Sequence, residues 1–217
     1  MPAGFFVVLE GPEAAGKSTL ARGLATRMEA EGVQPILVHE PGGTSVAQAL
    51  RHELLDAARE FTPAMELLYM VTARADLVSK VIRPALAQGK TVISDRYDLS
   101  TAAYQGAGRG VPIDHLSWVN AAATGGLVPD LTLVLDVDPT SARQRQLLAG
   151  KGLDRIEREP AEFHARVLAA YRAASGPGIR HISAEGTPAD VLAAAWQEIV
   201  KVRPMGGSTG SPEGNVA

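Results

Sequence analysis

A glycine-rich segment near the N-terminus carries the clearest chemistry in the sequence. Residues 11–18 read GPEAAGKS, which fits the pattern G-x-x-x-x-G-K-[ST]. Gly11 and Gly16 allow the backbone to fold so that its N–H groups face phosphate oxygens. Lys17 adds a positive charge, and the Ser18 hydroxyl is placed to ligate Mg²⁺. Because a buried strand is expected before this segment and a helix with a positive N-terminal end after it, the segment predicts a nucleotide-binding loop.

Two polar residues follow another apolar run. Residues 91–94 read TVIS, and Asp95 and Arg96 come next. Ligands of parallel sheets bind beyond the carboxyl ends of the strands, so these two side chains are expected beside the glycine-rich loop. Asp95 would orient Mg²⁺ or its waters, and Arg96 offers a planar fork for phosphate oxygens. A surface ion pair between the two neighbours, or a helix-capping aspartate, fits the same spacing.

Side chains suited to binding also recur at helical spacing. Thr101, Tyr104 and Gln105 share one helical face, as do Met70 and Arg74, which are four residues apart. This pattern fits a binding surface, and it equally fits a solvated helix surface. The periodicity leaves both interpretations open.

Short apolar runs alternate with longer segments of helical period, and these elements must position the polar residues. The predicted strands, of which the first four are expected to be buried on both faces, are residues 5–9, 36–38, 91–94, 131–135 and 180–183. The predicted helical segments are residues 17–31, 47–58, 63–87, 100–124, 141–148, 161–174 and 188–202. This alternation predicts an α/β fold, a P-loop NTPase-type three-layer sandwich in which helices flank a five-stranded parallel sheet.

One folded domain is expected over residues 1–203. Within it, residues 149–155 are polar and contain two glycines, which indicates a mobile loop. Residues 204–217 are rich in glycine, serine and proline and cannot bury enough apolar surface to order themselves, so they are expected to form a disordered tail. Trp118 and Trp196 fall within helical segments and are expected in the core or in an interface.

The composition excludes several classes of protein. The 217 residues are 46% hydrophobic and 21% charged, as in ordinary globular proteins, and the formal net charge is −3. That balance argues against a protein that coats nucleic acid or an anionic membrane. The absence of cysteine excludes disulfides and thiolate chemistry, and the histidines lack metal-ligand spacing. We expect a cytoplasmic protein, because the sequence has neither a basic leader nor an apolar run of ~20 residues.

Several kinds of nucleotide-binding protein fit these observations. A GTPase needs an Asn-Lys-x-Asp motif after a later strand, and the sequence has none. Motor and transporter ATPases are generally longer. The length favours a small-molecule kinase, acting on a nucleoside monophosphate or a deoxynucleoside, and Arg96 favours a phosphorylated acceptor. A nucleotide-binding module without catalytic activity is the remaining alternative.

Taken together, the motifs resemble the bacterial thymidylate kinase family over residues 5–171. Besides the glycine-rich loop, the strings that carry the resemblance are EPGGT at 40–44, DRYDLSTAAYQG at 95–106 and LDRIE at 153–157. The first two are specific, because other nucleotide kinases share the loop but not this pair. The resemblance implies Mg²⁺-dependent transfer of the γ-phosphoryl group of ATP to dTMP, a small lid at about residues 149–157, and a homodimer.

The resemblance also assigns roles to individual residues. Arg96 matches the arginine that grips the phosphate of dTMP, and Arg74 matches the arginine that reaches the thymine edge. Thr101 and Gln105 lie where the family reads the base, and Tyr104 lies where it packs on the deoxyribose and disfavours a 2′-hydroxyl. The residues expected to contact dTMP are Glu13, Glu40, Pro41, Gly42, Arg51, Met70, Arg74, Arg96, Ser100, Thr101, Tyr104 and Gln105. Those expected to bind ATP are Gly11, Pro12, Glu13, Ala14, Ala15, Gly16, Lys17, Ser18 and Thr19.

Three departures from the family pattern concern the site. Met70 replaces the usual phenylalanine, and His39 replaces an arginine. The lid also has fewer arginines than the lids of relatives with an acidic glycine-rich loop normally have. Arg145, Lys151 and Arg155 are therefore expected to supply the positive charge at the transferred phosphoryl group. The expected catalytic residues are Lys17, Asp95, Arg96, Glu13, Arg145, Lys151 and Arg155, and the expected Mg²⁺ ligands are Ser18, Asp95 and Glu13.

Overall fold

A five-stranded, all-parallel sheet forms the centre of the protein. The computed structural model describes residues 4–150 and 152–203. The strands are β1 (Phe5–Glu10), β2 (Ile36–His39), β3 (Thr91–Asp95), β4 (Leu131–Asp136) and β5 (Ile179–Ser183). They lie in the order β2-β3-β1-β4-β5, and every neighbouring pair is parallel. The predicted α/β fold with five parallel strands is confirmed.

Helices cover both faces of this sheet. They are α1 (Lys17–Ala30), α2 (Ser45–Leu55), α3 (Pro63–Leu77), α4 (Arg83–Ala87), α5 (Asp98–Thr101), α6 (Ile113–Thr124), α7 (Pro139–Ala149), α8 (Ala161–Ala173) and α9 (Pro188–Val202). Two π-helical segments, Val78–Ile82 and Ala102–Gly108, continue α3 and α5 without a break. Such segments are rare and often occur at functional sites.

Strand β1 shows how the three layers are held together. Its residues are fully or almost fully buried, and they alternate between the two faces. Phe5, Val7 and Leu9 belong to a core that includes residues of α1 and α9. Phe6 and Val8 belong to a second core with residues of α3 and the π-helical segment after it. Because residues 5–9 pack on both faces of the sheet, none of these five positions is polar, which explains their continuous apolar sequence.

Two sequence-based expectations are wrong in detail. Strand β2 is not buried on both faces, because it is an edge strand with one neighbour, and Leu37 is 43% exposed. The helical segment predicted for residues 100–124 is interrupted between Gly108 and Ile113, where Gly110 has a φ of +77° and Pro112 precedes α6. Trp118, which was expected in the core or in an interface, is 73% exposed, and this excludes only the core.

Two further expectations concern residues that the structure does not describe. The tail at 204–217 and the lid role of Lys151 lie outside the described residues. Within the described ranges, no helix combines the length and the apolar character needed to cross a bilayer.

Candidate active site

The glycine-rich loop joins the end of β1 to the start of α1, as its sequence predicts. Gly11 has a φ of +134°, and a Cβ there would lie 2.8 Å from the carbonyl oxygen of Leu135. Gly16 has a φ of +95° and immediately precedes α1. L-residues rarely adopt this backbone region, and at Gly11 the neighbouring strand also leaves no room for a side chain. Both glycines are therefore required by the path of the loop.

Lys17 is folded onto this loop. Its Nζ donates hydrogen bonds to the carbonyl oxygens of Gly11, at 2.9 Å, and Pro12, at 2.7 Å. The residue is 6% exposed. Burial, followed by the charge of Arg96, lowers the pKa of Lys17 to about 8. The ammonium group is thus held at the loop, where it is charged at neutral pH and readily titrated above it.

Ser18 and Asp95 meet at the carboxyl edge of the sheet. Strands β1 and β3 are neighbours, and Leu9 pairs with Asp95 in their register. The Ser18 Oγ donates a hydrogen bond of 2.6 Å to Asp95 Oδ2. Two of the three expected metal ligands are therefore adjacent, and the expectation that the end of β3 lies beside the glycine-rich loop is confirmed.

Arg96 reaches across to the same loop. It forms an ion pair with Glu13. It also donates hydrogen bonds to the carbonyl oxygen of Gly11 (3.2 Å), to Ser100 Oγ (3.2 Å) and to the Tyr171 hydroxyl (3.0 Å). The charge of Arg96 is the main reason that the pKa of Glu13 is lowered to about 2. Arg96 is thus a fixed guanidinium and not half of a surface pair with Asp95.

Glu10 supports the end of β3 and was missed by the sequence analysis. This fully buried carboxylate accepts hydrogen bonds from the backbone N–H of Tyr97 (2.8 Å) and from the N–H (3.0 Å) and hydroxyl (2.6 Å) of Ser100. The Tyr171 hydroxyl also donates to it, at 3.1 Å. Burial raises the pKa of Glu10, although these hydrogen bonds and Arg96 oppose the rise. The sequence did contain a signal for Glu10, because an acidic residue ends an apolar strand just before Gly11. It contained no signal for the role of Tyr171.

Arg74 is buried beneath the site. Its Nε donates to Glu40 at 2.7 Å, and its terminal nitrogens donate to Thr101 Oγ1 (2.9 Å), to Asn120 Oδ1 and to the carbonyl oxygen of Tyr97 (2.8 Å). These contacts use four of its five N–H groups. Burial outweighs the Arg74 charge and raises the pKa of Glu40 to about 7. In this structure Arg74 therefore braces the side chains around it.

A cavity of about 670 Å³ lies above these residues. The predicted site residues that line it are Glu13, Ala14, Gly16, Lys17, Ser18, Thr19, Glu40, Pro41, Arg51, Met70, Asp95, Arg96, Ser100, Tyr104 and Arg145. The predicted residues that do not line it are Gly11, Pro12, Ala15, Gly42, Arg74, Thr101, Gln105 and Arg155. The alternative of a solvated helix surface is wrong, because Met70, Arg74, Thr101, Tyr104 and Gln105 are all buried.

The two described cations of the expected lid point in different directions. Arg145 lines the cavity and donates a 2.7 Å hydrogen bond to the carbonyl oxygen of Ala184. Arg155 turns away from the cavity: it donates to the carbonyl oxygen of Leu54 at 2.8 Å and to Glu66 at 2.7 Å. Of these two cations, the structure thus brings only Arg145 to the place where a phosphoryl group could lie.

The fold and this site together define a P-loop nucleotide-binding protein. The sequence pattern of the family described as thymidylate kinase matches residues 9–194. The thymidylate kinase of Cereibacter sphaeroides (strain ATCC 17029 / ATH 2.4.9) is 48% identical over 201 residues, which cover 88% of this chain and 92% of the relative. That of Synechococcus sp. (strain JA-2-3B'a(2-13)) is 43% identical over 203 residues, covering 92% and 96%. The chain belongs to the thymidylate kinase family.

A solved structure supports the same assignment. The crystal structure of thymidylate kinase from Ehrlichia chaffeensis superimposes on this chain with a TM-score of 0.75. The two sequences are 28% identical, and the match covers 91% of this chain and 99% of that one.

Proposed function

We propose that this protein transfers the γ-phosphoryl group of ATP to dTMP, giving ADP and dTDP. The observation that carries the proposal is one continuous cavity that has the glycine-rich loop with Lys17 on one wall and Arg96 on another. Such a cavity can hold two nucleotides with their phosphates facing each other. Family membership supports the choice of dTMP as the acceptor.

The expected acceptor is itself a phosphate, which simplifies the chemistry. Its second ionisation lies near ~6, so at neutral pH it is mostly dianionic and needs no general base. The barrier is instead the approach of two anions while charge spreads over the moving phosphoryl group. Lys17, Arg96 and the loop N–H groups are fixed before the reaction, and such preorganised charges stabilise the transition state without further rearrangement.

Ser18 in the first turn of α1 and Asp95 at the end of β3 fit a magnesium ion. Ser18 Oγ and Asp95 Oδ2 are adjacent oxygen donors, and oxygen is the ligand that Mg²⁺ prefers. Mg²⁺ commonly binds through one or two protein oxygens together with substrate phosphates, and the structure shows no group of three or more acidic or histidine ligands among its described residues. When bound there, Mg²⁺ would neutralise phosphate charge. Glu13 is the weaker candidate, because Arg96 already neutralises it.

An acceptor panel tests the proposed function. The purified protein is assayed for ADP formation with ATP and Mg²⁺ and with dTMP, dUMP, dCMP, dAMP, dGMP or thymidine as acceptor. We expect dTMP to give the highest kcat/KM. A preference for another monophosphate or for thymidine would contradict the proposal and identify the rival kinase, whereas ATP binding without ADP formation would identify a nucleotide-binding module.

Arg145 is expected to act on the transferred group. Arg145→Ala should lower kcat by about a hundredfold, the usual effect of removing one donor to the transition state, and change the KM for dTMP little. Steady-state kinetics with dTMP as the varied substrate measure both values. Arg155→Ala is the matched control. Because Arg155 is bonded to Leu54 and Glu66, this variant should lower Tm, and its kcat should fall much less than that of Arg145→Ala. Equal kinetics for Arg145→Ala and the wild type would contradict this role.

We also propose a cytoplasmic homodimer. Exposed apolar side chains lie on α3 and α6, where Leu68 is 57%, Trp118 73% and Ile113 61% exposed. Together with the family resemblance, this unpartnered surface supports self-association, since monomeric proteins rarely expose large contiguous apolar patches. Sedimentation equilibrium measures the mass in solution, and a monomer at micromolar concentration would contradict the dimer.

A further inference from the structure

Glu66 on α3 is a buried carboxylate next to the cavity. It is 1% exposed and lies one helical turn before Met70, which lines the cavity. It accepts hydrogen bonds from Arg109 and Arg155, at 2.8 and 2.7 Å, and from Gln105 Nε2, at 2.8 Å. Burial alone would raise the pKa of Glu66, but these hydrogen bonds outweigh it, and the pKa is lowered. The carboxylate is therefore ionised at neutral pH.

An ionised carboxylate fixes which way the Gln105 amide points. Because the carboxylate can only accept hydrogen bonds, the amide must turn its NH₂ group toward Glu66 and its Oε1 away from it. Gln105 is fully buried, and Oε1 has no hydrogen-bond partner among the residues that the structure describes. A buried acceptor without a partner is destabilising unless a donor arrives.

The position of this amide relates it to the bound acceptor. Tyr104, the residue before Gln105, lines the cavity. Met70, which lies one helical turn after Glu66, lines it as well. Gln105 itself does not line the cavity, but its amide is bonded to Glu66, one turn before Met70. A ring bound against Met70 and Tyr104 would therefore lie close to the Gln105 amide.

We propose that Glu66 is a positioning residue, which holds the Gln105 amide so that Oε1 accepts the imide N–H of the acceptor's base. Thymine and uracil carry a hydrogen on N3, whereas N3 of cytosine is an acceptor and would face Oε1 with no hydrogen between them. Glu66 thereby selects pyrimidines with an imide, although it does not itself touch the substrate. This inference rests on the proposed function.

Glu66→Gln tests the role directly. A carboxamide at 66 can donate as well as accept, so the Gln105 amide is free to take either orientation. We expect the ratio of kcat/KM for dTMP to that for dCMP to fall by about tenfold or more, since mismatched buried polar groups give large discrimination. The value for dUMP, which keeps the imide, should fall in parallel with that for dTMP. An unchanged dTMP/dCMP ratio would overturn the proposal.

Two further variants separate positioning from stability. Arg109→Gln removes one cationic partner of Glu66 but leaves the Glu66 carboxylate hydrogen-bonded to Gln105. Tm should therefore fall, while the ratio of kcat/KM for dTMP to that for dCMP stays at the wild-type value. The exchange Glu66→Gln with Gln105→Glu keeps the total charge and again leaves an acceptor oxygen toward the base, so it should restore the dTMP preference. The same loss of preference in Arg109→Gln as in Glu66→Gln, or no recovery in the exchange variant, would assign Glu66 a structural role only.

The outcomes also distinguish this inference from the proposed function. If the wild-type protein does not phosphorylate dTMP, the proposed function fails. If it does, and Glu66→Gln keeps the wild-type preference, only the role of Glu66 fails.

Discussion

Arg96→Ala is expected to lower kcat/KM for dTMP by about a thousandfold or more. Loss of one preorganised donor costs roughly two to three orders of magnitude, and here the loss has a second consequence. Arg96 neutralises Glu13, whose pKa of about 2 depends mainly on this pairing. Without Arg96, the charges of Lys17 and Arg51 still oppose the effect of burial on the pKa of Glu13, and the carboxylate, now without its ion-pair partner, repels the incoming dianion. The assay is dTMP-dependent ADP formation.

Two controls accompany this variant. Arg172→Ala removes an exposed arginine next to Tyr171 on α8, so it should keep wild-type kinetics. Arg96→Lys keeps the charge but not the planar fork, so its activity should lie between those of the wild type and the alanine variant. Near-normal turnover of Arg96→Ala, with Tm unchanged, would remove Arg96 from the phosphate site.

The sequence was sufficient for the fold because the local signals agree with one another. Residues 5–9 are continuously apolar since β1 is covered on both faces, and Gly11 follows at the point where the chain must turn sharply. The failures occurred where a local pattern lacked tertiary information. Residues 36–38 are as apolar as a central strand, and only the sheet order reveals β2 as an edge.

The residues expected to touch phosphate could be predicted from the sequence, and those that hold them in place could not. The glycine-rich loop and Asp95 follow strand ends, a position that the sequence shows directly. By contrast, Glu10 and Tyr171 are 161 residues apart, and no local pattern brings them together. The positions of Arg145 and Arg155 in the sequence also do not predict that Arg145 faces the cavity while Arg155 pairs with Glu66. The direction of a long side chain depends on partners that are distant in the sequence.

Lys17→Met should lower kcat/KM for ATP by about a thousandfold, because it removes the cation on the wall of the cavity where the β- and γ-phosphates are expected. Methionine has a similar length and keeps the apolar stem of the side chain. Its thioether cannot donate to the carbonyl oxygens of Gly11 and Pro12, so Tm should also be compared with that of the wild type. Lys201→Met, which removes a 67% exposed ammonium group, is the matched control and should keep wild-type kinetics.

The pH dependence identifies Lys17 independently of the loss of activity. Its pKa in the free protein is lowered to about 8, so the ammonium is charged below that pH and is lost as the pH rises through it. The wild-type kcat/KM for ATP, which reports the free enzyme, should therefore fall above pH ~8, whereas kcat should stay level to higher pH because bound phosphates raise the pKa of Lys17. Lys201→Met should keep this alkaline limb, and Lys17→Met should lack it. A wild-type kcat/KM for ATP that stays flat through pH ~9.5 would mean that the charge of Lys17 does not control ATP capture.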